Sequence, residues 1–355
     1  MSTMRAAVFV EPGKIELQQR PIPDIGPTDA LLRVTTTTIC GTDVHILKGE
    51  YPVRPGLIVG HEPVGISIDG CQAEYVRIPN AQANLTPVPD GLSDEQVLMC
   101  PDIMSTGFGG AESGHIRIGD TVAIFAQGPI GLCATAGAKL MGATRIIVVD
   151  GVPERLAVAR QLGADITINF REQDPVQRIQ EITGGAGVDV AIEALGTQQT
   201  FESCLRSLKP GGTLSSLGVY SGKLSMPLDA FAAGLGDHKI ITTLCPGGKE
   251  RMRRLMAVVA SGRVDLTPMV THRFALDDIP RHSERGQNRL KCGTRLIGTG
   301  NRSPDDQIAA AIFQRLGGRH NALLIVSCTI SRADARRYQQ EVLTQCTAQR
   351  ARLTC

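Results

Sequence analysis

One stretch decides the fold of this chain: Thr121-Val122-Ala123-Ile124-Phe125-Ala126-Gln127-Gly128-Pro129-Ile130-Gly131. Five apolar residues typical of a buried strand run into a glycine-containing turn, and a helical pattern follows. A dinucleotide-binding fold needs such a turn, because the pyrophosphate then lies on the helix N-terminus. We predict that Gly128 lets the backbone approach the phosphates and Gly131 lets the helix pack on the strand. Residues 129–130 belong to the same cofactor-binding turn, and Ala126 stands where a first glycine is usual.

The sequence on both sides of this turn alternates between apolar β-type runs and helical runs. Buried strands separated by amphipathic helices are typical of a parallel, doubly wound sheet. We therefore predict an α/β fold with a Rossmann domain over residues 116–260. Its predicted strands and helices are Thr121–Phe125, Ile130–Leu140, Ile146–Val149, Pro153–Leu162, Ile166–Ile168, Pro175–Ile182, Val188–Ile192, Thr200–Leu208, Thr213–Leu217, Ile240–Leu244 and Glu250–Ala260.

An acid ends the second of these strands. Asp150 lies roughly 20 residues after the glycine turn, where an acid accepts hydrogen bonds from the ribose hydroxyls. A carboxylate there repels a 2′-phosphate, so NAD is predicted over NADP; the alternative is an ordinary turn residue at a strand end. Arg155, in the following helix, is assigned to the same cofactor-binding set.

The first 115 residues have weak helical periodicity and short β-type runs such as Leu31–Thr38, which predicts an irregular, mostly β region. A catalytic zinc takes three protein ligands and leaves one position open. Cys40 and His61 are candidate ligands, and Asp102 is a candidate third. Each also has a structural interpretation, since a lone buried cysteine is usually a small apolar residue and Asp102 could cap a helix. Thr42 would pass a proton from a metal-bound alcohol outward to His45.

Together these segments resemble the zinc-dependent medium-chain alcohol dehydrogenases. The similarity rests on Ile39–His45, Gly60–Gly65 and Pro101–Glu112, in this order and ahead of a dinucleotide fold. It is greatest to the bacterial tetrameric branch that binds zinc through Cys, His and Asp. The resemblance runs from Met4 to Ile279. It implies a GroES-like, mostly-β catalytic domain over residues 1–115, to which residues 261–279 return.

The resemblance also implies roles for single residues. Cys40, His61 and Asp102 would bind one catalytic zinc, and Thr42 and His45 would form the proton relay. Glu62 is the neighbouring acid that can approach the metal. The nicotinamide site would be lined by residues at two later strand ends, which are Glu193, Leu195, Leu217 and Val219.

Two segments of that family are expected to be missing. Several dozen residues normally follow the position of Gly65, whereas here Ile66–Ile68 alone lead to Asp69-Gly70-Cys71. The missing stretch supplies strands and, in many members, a lobe with a structural zinc, so we expect an incomplete catalytic domain without a four-cysteine cluster.

The second departure is the tail, residues 280–355. Twelve of its thirteen basic residues are Arg, against five acidic residues, and it matches neither the helix nor the final strand of the family. A shifted reading frame in a GC-rich gene would produce such a composition. The alternative is a genuine extension with helices at Ile308–Leu316 and Ala333–Leu343.

Bulk properties limit the partners. A net charge of +2 gives no reason to expect nucleic acid, and no apolar run is long enough to span a membrane. Ten cysteines without a framework spacing and no visible signal peptide predict a cytoplasmic protein. By resemblance, a homo-oligomer, namely a tetramer, is expected.

Three functions follow from these observations. The first is reversible oxidation of a small primary or secondary alcohol to an aldehyde or ketone with NAD. The second is a zinc-free, quinone-type reductase on the same fold, which the joint presence of Cys40, His61, Glu62 and Asp102 argues against. The third is a catalytically impaired remnant that still binds NAD, which the two missing segments favour.

Overall fold

The computed structural model describes residues 2–51, 53–61, 68–220, 223–279, 294–298, 310–312 and 325–328. Glu62, which was predicted to be a site residue, lies outside the described residues. Among the described helices, none is both long and apolar enough to cross a bilayer.

The N-terminal part combines strands with short helices. Its strands are β1 (Thr3–Glu11), β2 (Lys14–Pro21), β3 (Ala30–Ile39), β4 (Tyr75–Ile78) and β5 (Leu85–Pro87). Its helices are α1 (Gly41–Leu47), α2 (Ala81–Asn84), α3 (Asp94–Val97) and α4 (Ser105–Ser113). The strands β1 and β2 form an antiparallel hairpin, and β3 pairs with β4. The predicted mostly β region is therefore present, with α4 packed against the second domain.

The second domain is a six-stranded parallel sheet. Its strands are β6 (Thr121–Phe125), β7 (Arg145–Asp150), β8 (Ile166–Asn169), β9 (Val188–Glu193), β10 (Leu208–Ser216) and β11 (Lys239–Thr242). The helices that connect or follow them are α5 (Pro129–Leu140), α6 (Pro153–Leu162), α7 (Pro175–Ile182), α8 (Gln198–Ser207) and α9 (Lys249–Ala260). The predicted doubly wound Rossmann fold is confirmed.

The strand order is β11-β10-β9-β6-β7-β8, so the order reverses between β6 and β9. In such sheets a ligand binds in the crevice at the carboxyl ends of the strands beside this reversal. Residues 122–125 of β6 are buried on both faces, which explains their unbroken apolar run. The crevice therefore lies beside the turn that follows Phe125.

The tail differs from its prediction. Three of its segments are strands: β13 (Thr294–Gly298), β14 (Ala310–Ile312) and β15 (Ile325–Cys328). In the sheet order, β13 lies between β12 (Val270–Ala275) and β3, β15 pairs with the other side of β3, and β14 lies between β15 and β5.

Part of the predicted helix Ile308–Leu316 is thus a strand, because an unpaired edge of β5 offers hydrogen bonds that the local sequence pattern does not reveal. The tail sequence matches neither the helix nor the final strand of the family, yet it contributes β13, which pairs with both β12 and β3. The predicted helix Ala333–Leu343 lies outside the described residues.

Candidate metal and cofactor sites

Cys40 stands at the N-terminus of a short helix. It follows β3 directly and caps α1, where the backbone N–H of Thr42 donates to its sulfur over 3.2 Å. The helix begins here because Asp43, at its third position, accepts in return from the Cys40 amide over 3.0 Å. A donor aimed at the sulfur favours the thiolate, which is the form of cysteine that binds metals.

His61 lies between the two other predicted ligands. Its Nε2 is 3.5 Å from Cys40 Sγ and 3.5 Å from Asp102 Oδ2. Each of these distances also suits a pair of ligands of one tetrahedral zinc, whose ligand atoms are roughly 3.3–3.7 Å apart when each lies about 2.0–2.3 Å from the metal. Sulfur, imidazole nitrogen and carboxylate oxygen are donors that zinc accepts, so these residue types fit this metal. The group whose ligand atoms all lie within 4.8 Å of one another consists of Cys40, His61 and Asp43, so Asp102 approaches His61 without being part of this group.

Asp102 owes its position to a π-helical turn, Cys100–Met104, which runs directly into α4. In this turn the Met104 amide donates to the Met99 carbonyl over 2.7 Å, five residues back. The Thr106 hydroxyl donates to Oδ1 of Asp102 over 3.0 Å, so that Oδ2 is the oxygen directed at His61.

The surroundings of His61 favour positive charge. Burial by itself lowers the pKa of His61, but the neighbouring Cys40 sulfur and hydrogen bonds to Asp102 and Asp43 raise this pKa well above its usual value. Three anionic or polarisable groups that stabilise a proton on His61 would also stabilise a metal cation in the same position.

Asp43 is a site residue that the sequence analysis missed. Its Oδ1 is 3.5 Å from His61 Nδ1, and it accepts from the Gly60 amide and from Gln72 Nε2, each over 3.2 Å. Cys40, Asp43 and His61 each offer a ligand atom within 4.8 Å of the others. Asp43 lies at Nδ1 of His61 and Asp102 at Nε2, so the two carboxylates orient the imidazole, whereas the Cys40 sulfur is 3.5 Å from Nε2 and 3.7 Å from Nδ1. The signal that could have identified it is its place three residues after a helix cap.

The two relay candidates lie on α1, next to Cys40. His45 is half-exposed and forms a hydrogen bond to Glu50 through Nδ1. This contact lowers the pKa of Glu50 below its ordinary value. His45 therefore faces solvent, as the outer end of a proton path should.

The turn after β6 has the expected shape, although one glycine is replaced. Ala126 has φ +71°, in the left-handed region that glycine adopts without strain. Gly131 has no room for a side chain, because an added Cβ would lie 1.9 Å from the Ala126 carbonyl oxygen. Gly128 has φ −67°, and an added Cβ would meet nothing within 4 Å. The fold therefore requires glycine at position 131. The open space beside position 128, which we call the phosphate cradle, is where a phosphate group would fit.

Asp150 is 4% exposed, and its carboxylate shapes this turn. Oδ2 accepts from the Gln127 amide over 2.7 Å, and Oδ1 accepts from the Val152 amide over 2.9 Å. Arg155 Nη1 lies 3.5 Å from Oδ2 of the same carboxylate. Arg155 Nε is buried and has no hydrogen-bond partner within the described part of the chain. A buried donor beside the carboxylate is what a ribose hydroxyl would satisfy.

The four residues predicted around the nicotinamide divide into two pairs. Leu195 and Val219 are 55% and 60% exposed. Leu217 is buried against Gly110 of α4, and Glu193 is 0% exposed with its carboxylate facing protein donors. Glu193 and Leu217 were expected to line the nicotinamide site. In the structure both side chains are buried within the protein.

Comparison with known proteins gives the class to which this fold and this residue set belong. Residues 129–261 match the family model of zinc-binding dehydrogenases, and residues 26–69 match that of the alcohol dehydrogenase GroES-like domain. An alcohol dehydrogenase of Cupriavidus necator is 60% identical over 340 residues, which cover 78% of this chain and 93% of the relative. The chain belongs to the zinc-dependent medium-chain alcohol dehydrogenase family.

More distant relatives agree on the fold, and one of them is NADP-dependent. An NADP-dependent isopropanol dehydrogenase of Thermoanaerobacter brockii is 32% identical over 324 residues, covering 76% of this chain and 92% of the relative. The solved structure of alcohol dehydrogenase TADH from Thermus sp. ATN1 has a TM-score of 0.75 and 30% identity, and covers 83% of this chain and 99% of that one.

The aligned length bears on the missing segments. The alignment spans 340 residues and covers 93% of the Cupriavidus relative, but it includes only 78% of the 355 residues of this chain. Several dozen residues of the relative therefore have no counterpart here, in agreement with the predicted internal loss.

Proposed function

We propose that this chain is an alcohol dehydrogenase that reversibly oxidises a small primary or secondary alcohol with NAD. The observation that carries the proposal is the position of His61 Nε2, 3.5 Å from both Cys40 Sγ and Asp102 Oδ2, in a chain that also contains a dinucleotide turn. Cys40, His61 and Asp102 would hold the zinc. Bound there, zinc supplies Lewis acidity at the alcohol oxygen, and nicotinamide accepts the hydride.

The residues of the chain bind, orient and deprotonate the substrate. Asp43 holds the imidazole of His61 through Nδ1, which leaves Nε2 for the metal. Thr42 takes the proton of the alcohol hydroxyl and passes it to His45. His45, which contacts Glu50, releases the proton to solvent. The phosphate cradle at Gly128 and the apolar side chains of Leu195 and Val219 hold the dinucleotide beside the sheet crevice.

The direct test combines metal analysis with turnover. The purified chain is expected to contain about one zinc per protomer and to reduce NAD with a panel of small alcohols. Turnover without bound zinc would contradict the proposal and favour the quinone-type reductase.

A second candidate is supported by the several dozen missing residues: a catalytically impaired remnant that retains NAD binding. This alternative predicts normal NADH binding without alcohol oxidation. The two measurements of binding and turnover therefore separate it from the active enzyme.

The cofactor is expected to be NAD, because the charge of Arg155 is balanced by Asp150 and so is not available for a 2′-phosphate. We expect Asp150→Asn to raise the ratio of kcat/KM for NADP over NAD about tenfold, because like-charge repulsion is removed and Arg155 is released. The control is Asp165→Asn, which changes a carboxylate that binds the Ile146 amide at the opposite end of β7. A wild-type preference for NADP would overturn the assignment.

Self-association is proposed at the β11 edge of the sheet, where Leu228, Phe231, Leu235, Ile240 and Leu244 are exposed. Leu235, at 87% exposure, is the most exposed of them. Exposed apolar side chains near a strand that, in the described part of the chain, pairs on one side only suit a second copy of the chain, and family resemblance predicts a tetramer. Leu235→Asp combined with Ile240→Lys should shift the particle measured by light scattering to half the wild-type mass or less. Ile118→Asp, a similarly exposed position before β6, is the control and should leave the mass unchanged.

The expected location is the cytoplasm. Burial raises the pKa of the Cys100 thiol to about 12, and likewise raises the pKa of Cys133 and Cys204 well above the ordinary value. All six cysteines within residues 2–279 are free, as is usual in a reducing compartment.

A further inference from the structure

A fully buried carboxylate lies at the end of β9 without contact to the crevice. Oε1 of Glu193 accepts three hydrogen bonds, from the Leu195 amide over 2.9 Å, the Gly196 amide over 2.8 Å and the Thr200 hydroxyl over 2.7 Å. Oε2 accepts from the Tyr220 hydroxyl over 2.8 Å. Burial of a carboxylate costs free energy unless it is fully hydrogen-bonded, so this arrangement demands all four donors.

Three of the four donors come from two different loops, and the fourth, Thr200, lies in α8. Residues 194–197 follow β9, and residues 217–220 follow β10; we call them the first and second loop. They touch through backbone at two glycines. An added Cβ on Gly196 would lie 2.5 Å from the Val219 carbonyl oxygen, and one on Gly218 would lie 2.2 Å from the Gly196 amide nitrogen. Glu193 Oε2 itself would lie 2.3 Å from the Cβ on Gly218, so the carboxylate is in contact with both loops.

Each loop exposes one apolar side chain to solvent. These are Leu195 in the first loop and Val219 in the second, and both stand at the carboxyl ends of strands on the crevice side of the sheet. The relative position of the two loops therefore sets the position of these two side chains.

We propose that Glu193 is a positioning residue of the cofactor site, which joins the two loops and holds Leu195 and Val219 at the spacing that a nicotinamide ring needs. This inference rests on the proposed dehydrogenase function. Glu193 acts without touching the cofactor, through the Tyr220 hydroxyl on one side and two backbone amides on the other. Tyr220 is the residue to test, because its hydroxyl donates the described hydrogen bond between the second loop and this carboxylate.

Tyr220→Phe removes the hydrogen bond between the second loop and the carboxylate and leaves the bonds of the first loop in place, while the Leu217 amide still donates to the Glu193 carbonyl over 2.8 Å. The ring keeps its edge-to-face contact with Phe201, whose centroid is 6.0 Å away, so the core should remain packed. Loss of a hydrogen bond to a charged group should raise the Kd for NADH about tenfold and raise KM for NAD, with kcat and zinc content close to wild type. Hydrogen exchange should accelerate in residues 217–220 and stay slow at the amides of residues 195–196.

Ser216→Ala is the matched control. The Ser216 hydroxyl forms a hydrogen bond of 2.8 Å with the same Tyr220 hydroxyl but reaches the carboxylate only through it. Its effect on the Kd for NADH should be about threefold or less. Glu193→Gln should raise the Kd for NADH less than Glu193→Ala, since its amide oxygen still accepts from the first loop and the Tyr220 hydroxyl can turn to accept from the new NH₂ group. Glu193→Ala should accelerate exchange in both loops.

The outcomes distinguish this inference from the proposed function. Wild-type affinity and exchange in Tyr220→Phe, or an equal effect of Ser216→Ala, would overturn the role of Glu193 while leaving a functional dehydrogenase. Failure of the wild-type chain to bind either NADH or NADPH would overturn the proposed function and, with it, the role of Glu193 in cofactor binding.

Discussion

Cys40→Ser and His61→Ala are each expected to lose bound zinc and to lower kcat/KM for alcohol oxidation at least about a thousandfold. A three-ligand site that loses one ligand holds its metal poorly, and the Lewis acid contributes several kcal/mol to stabilising the transition state. Zinc content by atomic absorption and NAD reduction by absorbance measure the two effects. NADH affinity should persist, because the dinucleotide turn lies on a different segment of the chain.

Cys71→Ser is the control for the cysteine variant. Cys71 is buried 11 residues after Gly60, whereas Cys40 is partly exposed, and the Cys71 sulfur contacts the Thr37 hydroxyl at 2.7 Å and the Gly60 carbonyl at 3.4 Å. It should keep its zinc. If Cys40→Ser kept both metal and turnover, Cys40 would have to be reassigned as a helix cap alone.

Gly131→Ala and Gly128→Ala should affect different properties: the first should lower stability, and the second should weaken cofactor binding. At Gly131 an added Cβ would lie 1.9 Å from the Ala126 carbonyl oxygen, a distance that forces strand and helix apart. We expect Gly131→Ala to lower the free energy of unfolding by about 3 kcal/mol or more, which is a large share of a typical domain stability of about 5–15 kcal/mol. Denaturant unfolding followed by circular dichroism gives this value.

At Gly128 the same change should leave the free energy of unfolding within about 0.5 kcal/mol of wild type, because φ is allowed for alanine and the space is open. The methyl group would instead occupy the phosphate cradle and raise the Kd for NADH about tenfold or more. Equal effects of the two variants on stability and binding would mean that the cradle is not a phosphate site.

The order of strands and helices in the Rossmann part could be predicted from sequence, although β10 begins at Leu208, five residues before the predicted Thr213. The predicted Thr121–Phe125, Pro153–Leu162 and Pro175–Ile182 agree with the observed bounds of β6, α6 and α7. Strands buried on both faces leave unbroken apolar runs, and helices between them leave amphipathic ones, so that local pattern and fold coincide.

The remaining features depend on contacts between residues distant in sequence. Asp43 and Gly60 are 17 residues apart, and Glu193 and Tyr220 are 27 apart, so neither partnership has a local pattern. The pairing of β14 with β5 joins residues more than 200 positions apart. An apolar residue in such a segment fits a helix or a strand equally well until its neighbour is known.

The π turn at Cys100–Met104 has a consequence for how the acidic ligand could change. A π turn holds one residue more than an α turn, so the helix on one side is rotated relative to the other by about 100°, the angle of a single residue. Asp102 occupies this joint, whereas α4 beyond it packs on α5. Removing one residue from the turn would make the helix continuous and swing the carboxylate away from His61, with the packed face of α4 undisturbed. The direction of the Asp102 carboxylate is thus set by an insertion of one residue, in a turn whose other four residues are buried in the core.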